Sequence, residues 1–226
     1  VPSPVTPLRW DTEFFGVSIA RAELDHATVA RALAEAAARD VQCLYLVIPS
    51  AHPPPLADAV RRGGRLVDLR VTLELETRLA PPLGVRPADA GDLGALIPLA
   101  RGLSGSSRFG RDPRFSEDAV ARMYETWLER CLEEGSVVVP DGNVTGFVGV
   151  RPGHSEAVSV DLVYVDPAAR GEGLAARLVR GALARADVVR ARVATQAWNV
   201  GAQRLYQEIG FRTSSLDAIV HVWLDD

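Results

Sequence analysis

Apolar residues recur along this chain with two spacings, and the two alternate. Residues 41–48 (VQCLYLVI) form a near-continuous apolar run of strand length, and residues 66–75 (LVDLRVTLEL) alternate apolar and polar positions with period two. Between them, residues 56–62 suit a short helix that stops at Gly63-Gly64. Residues 28–39 are alanine-rich, with Val29, Leu33, Ala36 and Ala37 at helical spacing. Further on, Leu93, Leu96, Ile97, Leu99 and Ala100 predict a helix that Pro98 can kink. Residues 117–133 predict a longer one, with Val120, Met123, Tyr124, Trp127, Leu128 and Cys131 on one broad face. Residues 136–139 and 143–151 read as a hairpin around Pro140-Asp141-Gly142.

The stretch 158–211 organises the rest. Val158, Val160, Leu162, Val163 and Val165 make a strand that suits burial on both faces, ended by Asp166-Pro167. A loop, Arg170-Gly171-Glu172-Gly173-Leu174-Ala175, leads into a helix carrying Leu174, Leu178, Val179, Ala182 and Leu183. Residues 188–195 are a second strand. Asn199 can cap the next helix, which carries Ala202, Leu205, Tyr206 and Ile209 and ends at Gly210. The order strand, loop, helix, glycine stop, strand also occurs at 41–76, at nearly the length of 188–224. Ala80-Pro81-Pro82 is the best boundary between the halves, dividing the chain into 1–80 and 81–226. The fold class is mixed α/β.

Composition narrows the function. With 47% apolar and 24% charged residues in 226, a sizeable core is possible. All 25 basic residues are arginine, so no lysine can form a Schiff base. A net charge of −4 argues against nonspecific nucleic-acid binding. Cys43 and Cys131 lie in apolar stretches, as buried thiols would, and His26, His52, His154 and His221 are scattered, so no metal site is expected. No apolar run reaches membrane-spanning length and no signal-peptide pattern opens the chain, so a cytoplasmic protein without a membrane partner is expected.

The glycines of the 170–175 loop let successive backbone N–H groups point outward where a strand becomes a helix, a place suited to a phosphate. Alone, the loop is as consistent with an ordinary turn. Together, V-D-P-x-x-R-G-x-G-L-A and V-A-T-Q-x-x-N-x-x-A-x-R-L-Y-x-x-x-G-F resemble the acetyl-CoA core of the GNAT N-acetyltransferase superfamily. The opening W-D-T-E-F-F-G at residues 10–16 and the S-R-F of residues 107–109 are similar to the TDP-fucosamine acetyltransferase type within it, which acts on nucleotide-linked aminosugars. The opening reads as an anchor packed on the core. Residues 1–80 then read as a degenerate GNAT-like half-domain, a structural partner of a catalytic GNAT domain at 81–226. In it Val60 stands where Tyr206 stands in the second copy, and no asparagine matches Asn199.

The resemblance implies a site. Acetyl-CoA would insert between two splayed strands and bond the backbone of Leu162, Val163, Tyr164 and Val165, with an N–H of Val163 or Tyr164 polarising the thioester carbonyl. Its pyrophosphate would sit on Arg170, Gly171, Glu172, Gly173, Leu174 and Ala175. Asn199 would contact the pantetheine or cap its helix. Tyr206 would protonate the departing thiolate. For a general base, Asp161 is the nearest acid in the central strand; Asp112 and His154 are weaker candidates, and an amine already neutral would need none. In the loop 103–116, Arg108, Arg111 and Arg114 can grip a diphosphate, or stand as a solvated charged loop. Phe109 or Phe115 can stack on a base or join the core, and Tyr124 and Trp127 read as helix packing. The expected acceptor is a small-molecule amine, which the resemblance implies is a TDP-aminosugar; other amines and a silent acyl-CoA-binding module are the rivals. Close relatives suggest a homodimer.

Overall fold

The computed structural model describes residues 3–24, 28–51, 54–76, 79–80, 82–152 and 157–224. Its strands are β1 (Val5–Pro7), β2 (Ile19–Glu23), β3 (Cys43–Pro49), β4 (Arg65–Glu76), β5 (Val85–Pro87), β6 (Val137–Pro140), β7 (Gly146–Pro152), β8 (Ala157–Val165), β9 (Arg190–Gln196) and β10 (Arg212–Trp223). The helices are α1 (Arg9–Phe15), α2 (Val29–Ala37), α3 (Pro54–Arg61), α4 (Leu93–Arg101), α5 (Glu117–Glu133), α6 (Leu174–Ala186) and α7 (Val200–Ile209). The fold is mixed α/β, and the strands form one sheet in the order β1-β2-β3-β10-β4-β9-β8-β7-β6-β5.

That order interlocks the two similar ends of the chain. The units β3–α3–β4 and β9–α7–β10 each place their second strand beside the first strand of the other. Thus β10 pairs antiparallel with β3, β4 pairs antiparallel with β9, and β4 and β10 lie antiparallel to each other in the middle. The sheet runs unbroken across the Pro-rich boundary, and a strand from residues 1–80 stands next to the stretch that the sequence marks as chemical.

Helices cover both faces. On one face, Leu44, Leu46, Ala218 and Val220 pack with Ala32, Ala36 and Ala59 of α2 and α3. On the same face Leu73, Leu75, Val160 and Val193 pack with Leu178 and Val179 of α6 and with Tyr206 and Ile209 of α7. On the opposite face, α4 and α5 cover Val137, Phe147 and Leu162. Next to them α1 and the 103–116 loop close over Ile19, Cys43 and Tyr45. The opening motif is the anchor its two phenylalanines suggest. It forms α1, stopped by Gly16 at φ 69°, a left-handed conformation glycine adopts without strain. Phe15 packs against Phe109 and Phe115, with ring centroids 5.5 and 4.5 Å away.

Capping explains where several helices start. Thr28, Ser116 and Asn199 each accept the backbone N–H of the third residue of α2, α5 and α7. Strand β8 departs from expectation. Read as buried on both faces, it alternates: Val158, Val160 and Leu162 are buried, while Ser159, Asp161 and Val163 are partly open.

Candidate functional site

Strands β8 and β9 start together and then part. Their parallel pairing runs from Ala157↔Arg190 to Val160↔Val193 and goes no further. A bulge leaves Asp161 unmatched: Val160 faces Val150 of β7, and the next paired residue, Leu162, faces Gly149. Beyond it, Leu162, Val163, Tyr164 and Val165 pair only with β7, while Thr195 and Gln196 of β9 pair with β4. A wedge therefore opens between the strands, and the edge of Leu162–Val165 turned towards it has no ladder partner. An extended chain with amide groups, such as pantetheine, can complete that edge as a further strand would.

The 170–175 loop lies at the mouth of the wedge. Gly171 and Gly173 have φ of 92° and 73°, and α6 starts at Leu174 with no side-chain cap. The first helical hydrogen bond runs from Arg177 N to Gly173 O at 3.1 Å, so the earlier amides of that turn are free for an anion. Arg170 is partly committed: its Nε donates to Val165 O at 2.9 Å. A Cβ at Gly173 would meet no atom within 4 Å, so a substitution there acts through backbone strain rather than a clash. Forcing an L-residue into that conformation costs about 1–2 kcal/mol or moves the amides. We expect Gly173→Val to weaken acetyl-CoA binding about 5- to 30-fold by calorimetric titration; unchanged affinity would remove the loop from the site.

Asn199 is the cap of α7: its Oδ1 accepts from Ala202 N at 3.1 Å. Tyr206, two turns on, is 4% exposed and lies in the same cluster as Val160 and Val193, the last paired residues of β8 and β9. Its ring meets Phe211 edge-on at 5.8 Å. Burial alone raises its pKa, so the phenol keeps its proton at neutral pH. Asp161 is placed differently from a free base. Arg151 Nε donates to it at 2.6 Å and Ser159 Oγ also bonds it, so its carboxylate is held in an ion pair. His154 lies outside the described residues. Asp112 is 1% exposed and bonded to His221 Nδ1 at 2.7 Å and Trp223 Nε1 at 3.0 Å. A cleft of about 810 Å³ at the start of β8, lined among others by Ser136, Val158, Arg185 and Val188, contains none of the predicted site residues.

The arginine loop divides. Arg108 lies over the Tyr45 and Phe109 rings at 4.9 and 4.6 Å, and Arg111 over Trp198 at 3.9 Å. Both act on Asp68 of β4, whose carboxyl feels the charges of Arg108, Arg70 and Arg111. Arg114 instead packs on Trp223, 4.2 Å from the ring centre, at the far end of β10. Phe109 is buried against Phe15, Tyr45, Phe115 and His221, so it fastens the loop to the sheet. The Arg108–Asp68 group sits on the sheet face opposite Tyr206.

Comparison with known proteins agrees with this geometry. Residues 106–211 match the family described as "Acetyltransferase (GNAT) family". The chain carries a GNAT acetyltransferase domain. The curated relative "Spore coat polysaccharide biosynthesis protein SpsD" of Bacillus subtilis (strain 168) is 27% identical over 167 residues. That match covers 71% of this chain and 57% of SpsD. The fold is also that of solved GCN5-related N-acetyltransferases. The protein from Sphaerobacter thermophilus is 16% identical, with a TM-score of 0.63 over 97% of this chain and 76% of that one. The protein from Kribbella flavida is 20% identical, with a TM-score of 0.60 over 98% and 87%.

What sequence reasoning missed in the GNAT domain's surroundings is the polar group beneath the arginine loop. Tyr45 Oη, Asp68 Oδ1, Arg70 Nε, Arg21 Nε and His221 Nε2 are all buried without a hydrogen-bond partner. One signal was available. Asp68, Arg70 and Thr72 alternate with Leu69, Val71 and Leu73, which reads as a strand with one wet face. Yet Asp68 and Thr72 are buried. A polar strand face that is covered instead of wet is a candidate site face.

Proposed function

We propose that this protein is an acetyl-CoA-dependent N-acetyltransferase acting on the primary amine of a small molecule, a nucleotide-linked amino-deoxysugar. The observation that carries the reading is the wedge between β8 and β9. One face of the sheet carries an uncapped, glycine-shaped helix start and Tyr206, and the other an arginine-rich polar group. Acetyl-CoA supplies the acyl thioester. The chain's part is to hold it along Leu162–Val165 and the 170–175 amides, to offer a backbone N–H near Val163 or Tyr164 to the developing oxyanion, and to present the Tyr206 proton to the leaving sulfur. Holding both reactants across the wedge removes much of the entropic barrier. The sugar acceptor draws support from SpsD, named for polysaccharide biosynthesis, and from Arg108 and Arg111, whose guanidinium groups suit phosphate oxygens.

The test mixes the protein with acetyl-CoA and a panel of amines, following release of free CoA thiol. The panel spans TDP-aminohexoses, polyamines, amino acids and N-terminal peptides. Turnover confined to the nucleotide sugars is the expected result. Turnover on another class replaces the acceptor and keeps the reaction. Binding of acetyl-CoA without turnover on any amine would favour a non-catalytic acyl-CoA-binding module.

A further inference from the structure

Among the described residues, Asp161 is held by Arg151 and Asp112 by His221 and Trp223, so neither is free to meet the acceptor amine. The sheet supplies another carboxylate. Asp68 stands on β4, the strand from the first half of the chain that lies against β9. Ala197 N donates to Leu69 O at 2.7 Å, so β4 runs alongside the chain just past the open end of β9. Asp68 is 5% exposed, and its Oδ1 has no hydrogen-bond partner. A buried carboxylate oxygen left unbonded costs free energy, so a native structure completes it with a ligand, an ion or a water, or keeps it for chemistry.

Its surroundings are charged but none of them closes on it. Arg70 of its own strand is ion-paired to Asp217 of β10 at 2.9 Å. Arg108 and Arg111 of the 103–116 loop lie within its field, and both guanidinium groups lie over aromatic rings. From α5, Tyr124 is within its field; on β3 and β10, Tyr45 and His221 stack at 4.3 Å with Tyr45 Oη and His221 Nε2 unbonded. The group presents one unbonded carboxylate oxygen beside several cationic groups. That pattern suits a molecule carrying an amine next to phosphate or other acidic oxygens.

We propose that Asp68, supplied by the interlocked strand of the first half, binds the acceptor ammonium and takes its proton. The assignment rests on the acetyl-transfer reading above. The first proton leaves the ammonium for Asp68 and then solvent, giving a neutral amine. The C–N bond forms at the thioester carbon and the C–S bond breaks. The thiolate takes the Tyr206 proton, and the proton released by the new amide nitrogen restores the phenol. Burial pushes the Asp68 carboxyl up to about 6 against the pull of Arg108, Arg70 and Arg111, a value suited to a base working near neutrality. On this assignment residues 1–80 form part of the acceptor site as well as a structural partner.

The test compares wild type with Asp68→Asn on the amine panel, measuring acetyl-CoA binding, kcat, kcat/KM from pH 5 to 9, and thermal stability. The expected result has four parts. Acetyl-CoA affinity stays within about twofold, and Tm does not fall. Losing a positioned base lowers kcat about 100-fold or more. The ascending limb of kcat/KM near pH 6 also disappears in the variant, leaving only the limb set by the acceptor's own ammonium. A variant that turns over at the wild-type rate with the limb intact overturns the role of Asp68 and leaves the acetyltransferase reading standing. A wild-type profile with no limb near pH 6 overturns it even if the variant does not fold. A wild type that binds acetyl-CoA yet acetylates no amine overturns both.

Discussion

Tyr206→Phe is expected to lower kcat by about 10²- to 10⁴-fold, the usual range for removing a positioned general acid, while leaving acetyl-CoA affinity nearly unchanged. The argument is differential. The phenol is buried and keeps its proton, and it lies where β8 and β9 part, on the face that holds the uncapped start of α6. Its hydroxyl does nothing for the ring's packing on Phe211, which phenylalanine retains. An interaction made only as sulfur departs appears in kcat and not in binding. Stability should therefore shift by less than about 1 kcal/mol, since a hydroxyl-to-hydrogen change conserves shape. The decisive control is the leaving group: acetyl transfer from a thioester with a more acidic thiol needs less help from an acid. The variant should recover most of its rate with such a donor. A variant as slow with the activated donor as with acetyl-CoA would assign Tyr206 to packing.

The fold was legible wherever a local rule decided it. Residues 117–133 form α5 as its apolar face implied, Gly210 closes α7, and Asn199 caps it. Gly171 and Gly173 were legible as a turn into a helix, and both take positive φ there. The exchange of β4 and β10 was not. Sequence similarity between residues 41–76 and 188–224 suggests two alike units but says nothing of which strand pairs with which, since strand order is a long-range property. Asp68 was legible only as part of a polar strand face, for the same reason. Its polar face is covered by a loop forty residues downstream, and only that closure turns a strand's ordinary wet side into a buried, underbonded one. Asp161 differs in another way. It was the right residue type beside the right strand, but the bulge turns it to Arg151, ten residues back along the hairpin. Phe109 behaved as large aromatic residues usually do, in the core.

Stability should depend on one buried pair that fastens the arginine loop to the sheet. His221, fully buried on β10, bonds Asp112 of the loop at 2.7 Å, and Trp223 supports the same oxygen at 3.0 Å. Burial pushes the His221 pKa down to about 4 despite Asp112, so the ring is neutral and its Nδ1–H donates. Burial also penalises the Asp112 carboxylate, but its hydrogen bonds from His221, Trp223 and Arg114 N outweigh that and hold its pKa below the ordinary 3.8. His221→Ala leaves this buried charge short of a partner. Breaking such a pair costs about 3–5 kcal/mol, and each kcal/mol lowers Tm by about 2–4 °C in a chain of this size, so a fall of roughly 6–20 °C is expected. Below pH 6.5 the unfolded chain protonates His221 while the folded one does not until about pH 4, so this residue costs stability as pH falls through that window, by about 1.4 kcal/mol per pH unit. Asp68 acts with the opposite sign. Its folded pKa is raised from 3.8 to about 6, so the folded state binds the extra proton and gains stability as pH falls from about 6 towards 4. In the wild type the two slopes largely cancel between pH 4 and 6. In Asp68→Asn the compensation is gone: the variant should be more stable at pH 7 by up to about 3 kcal/mol, and its denaturant midpoint should fall steeply below pH 6. A flat pH profile in Asp68→Asn, or a His221→Ala protein with unchanged Tm, would mean that neither buried group carries the charge state that its surroundings imply.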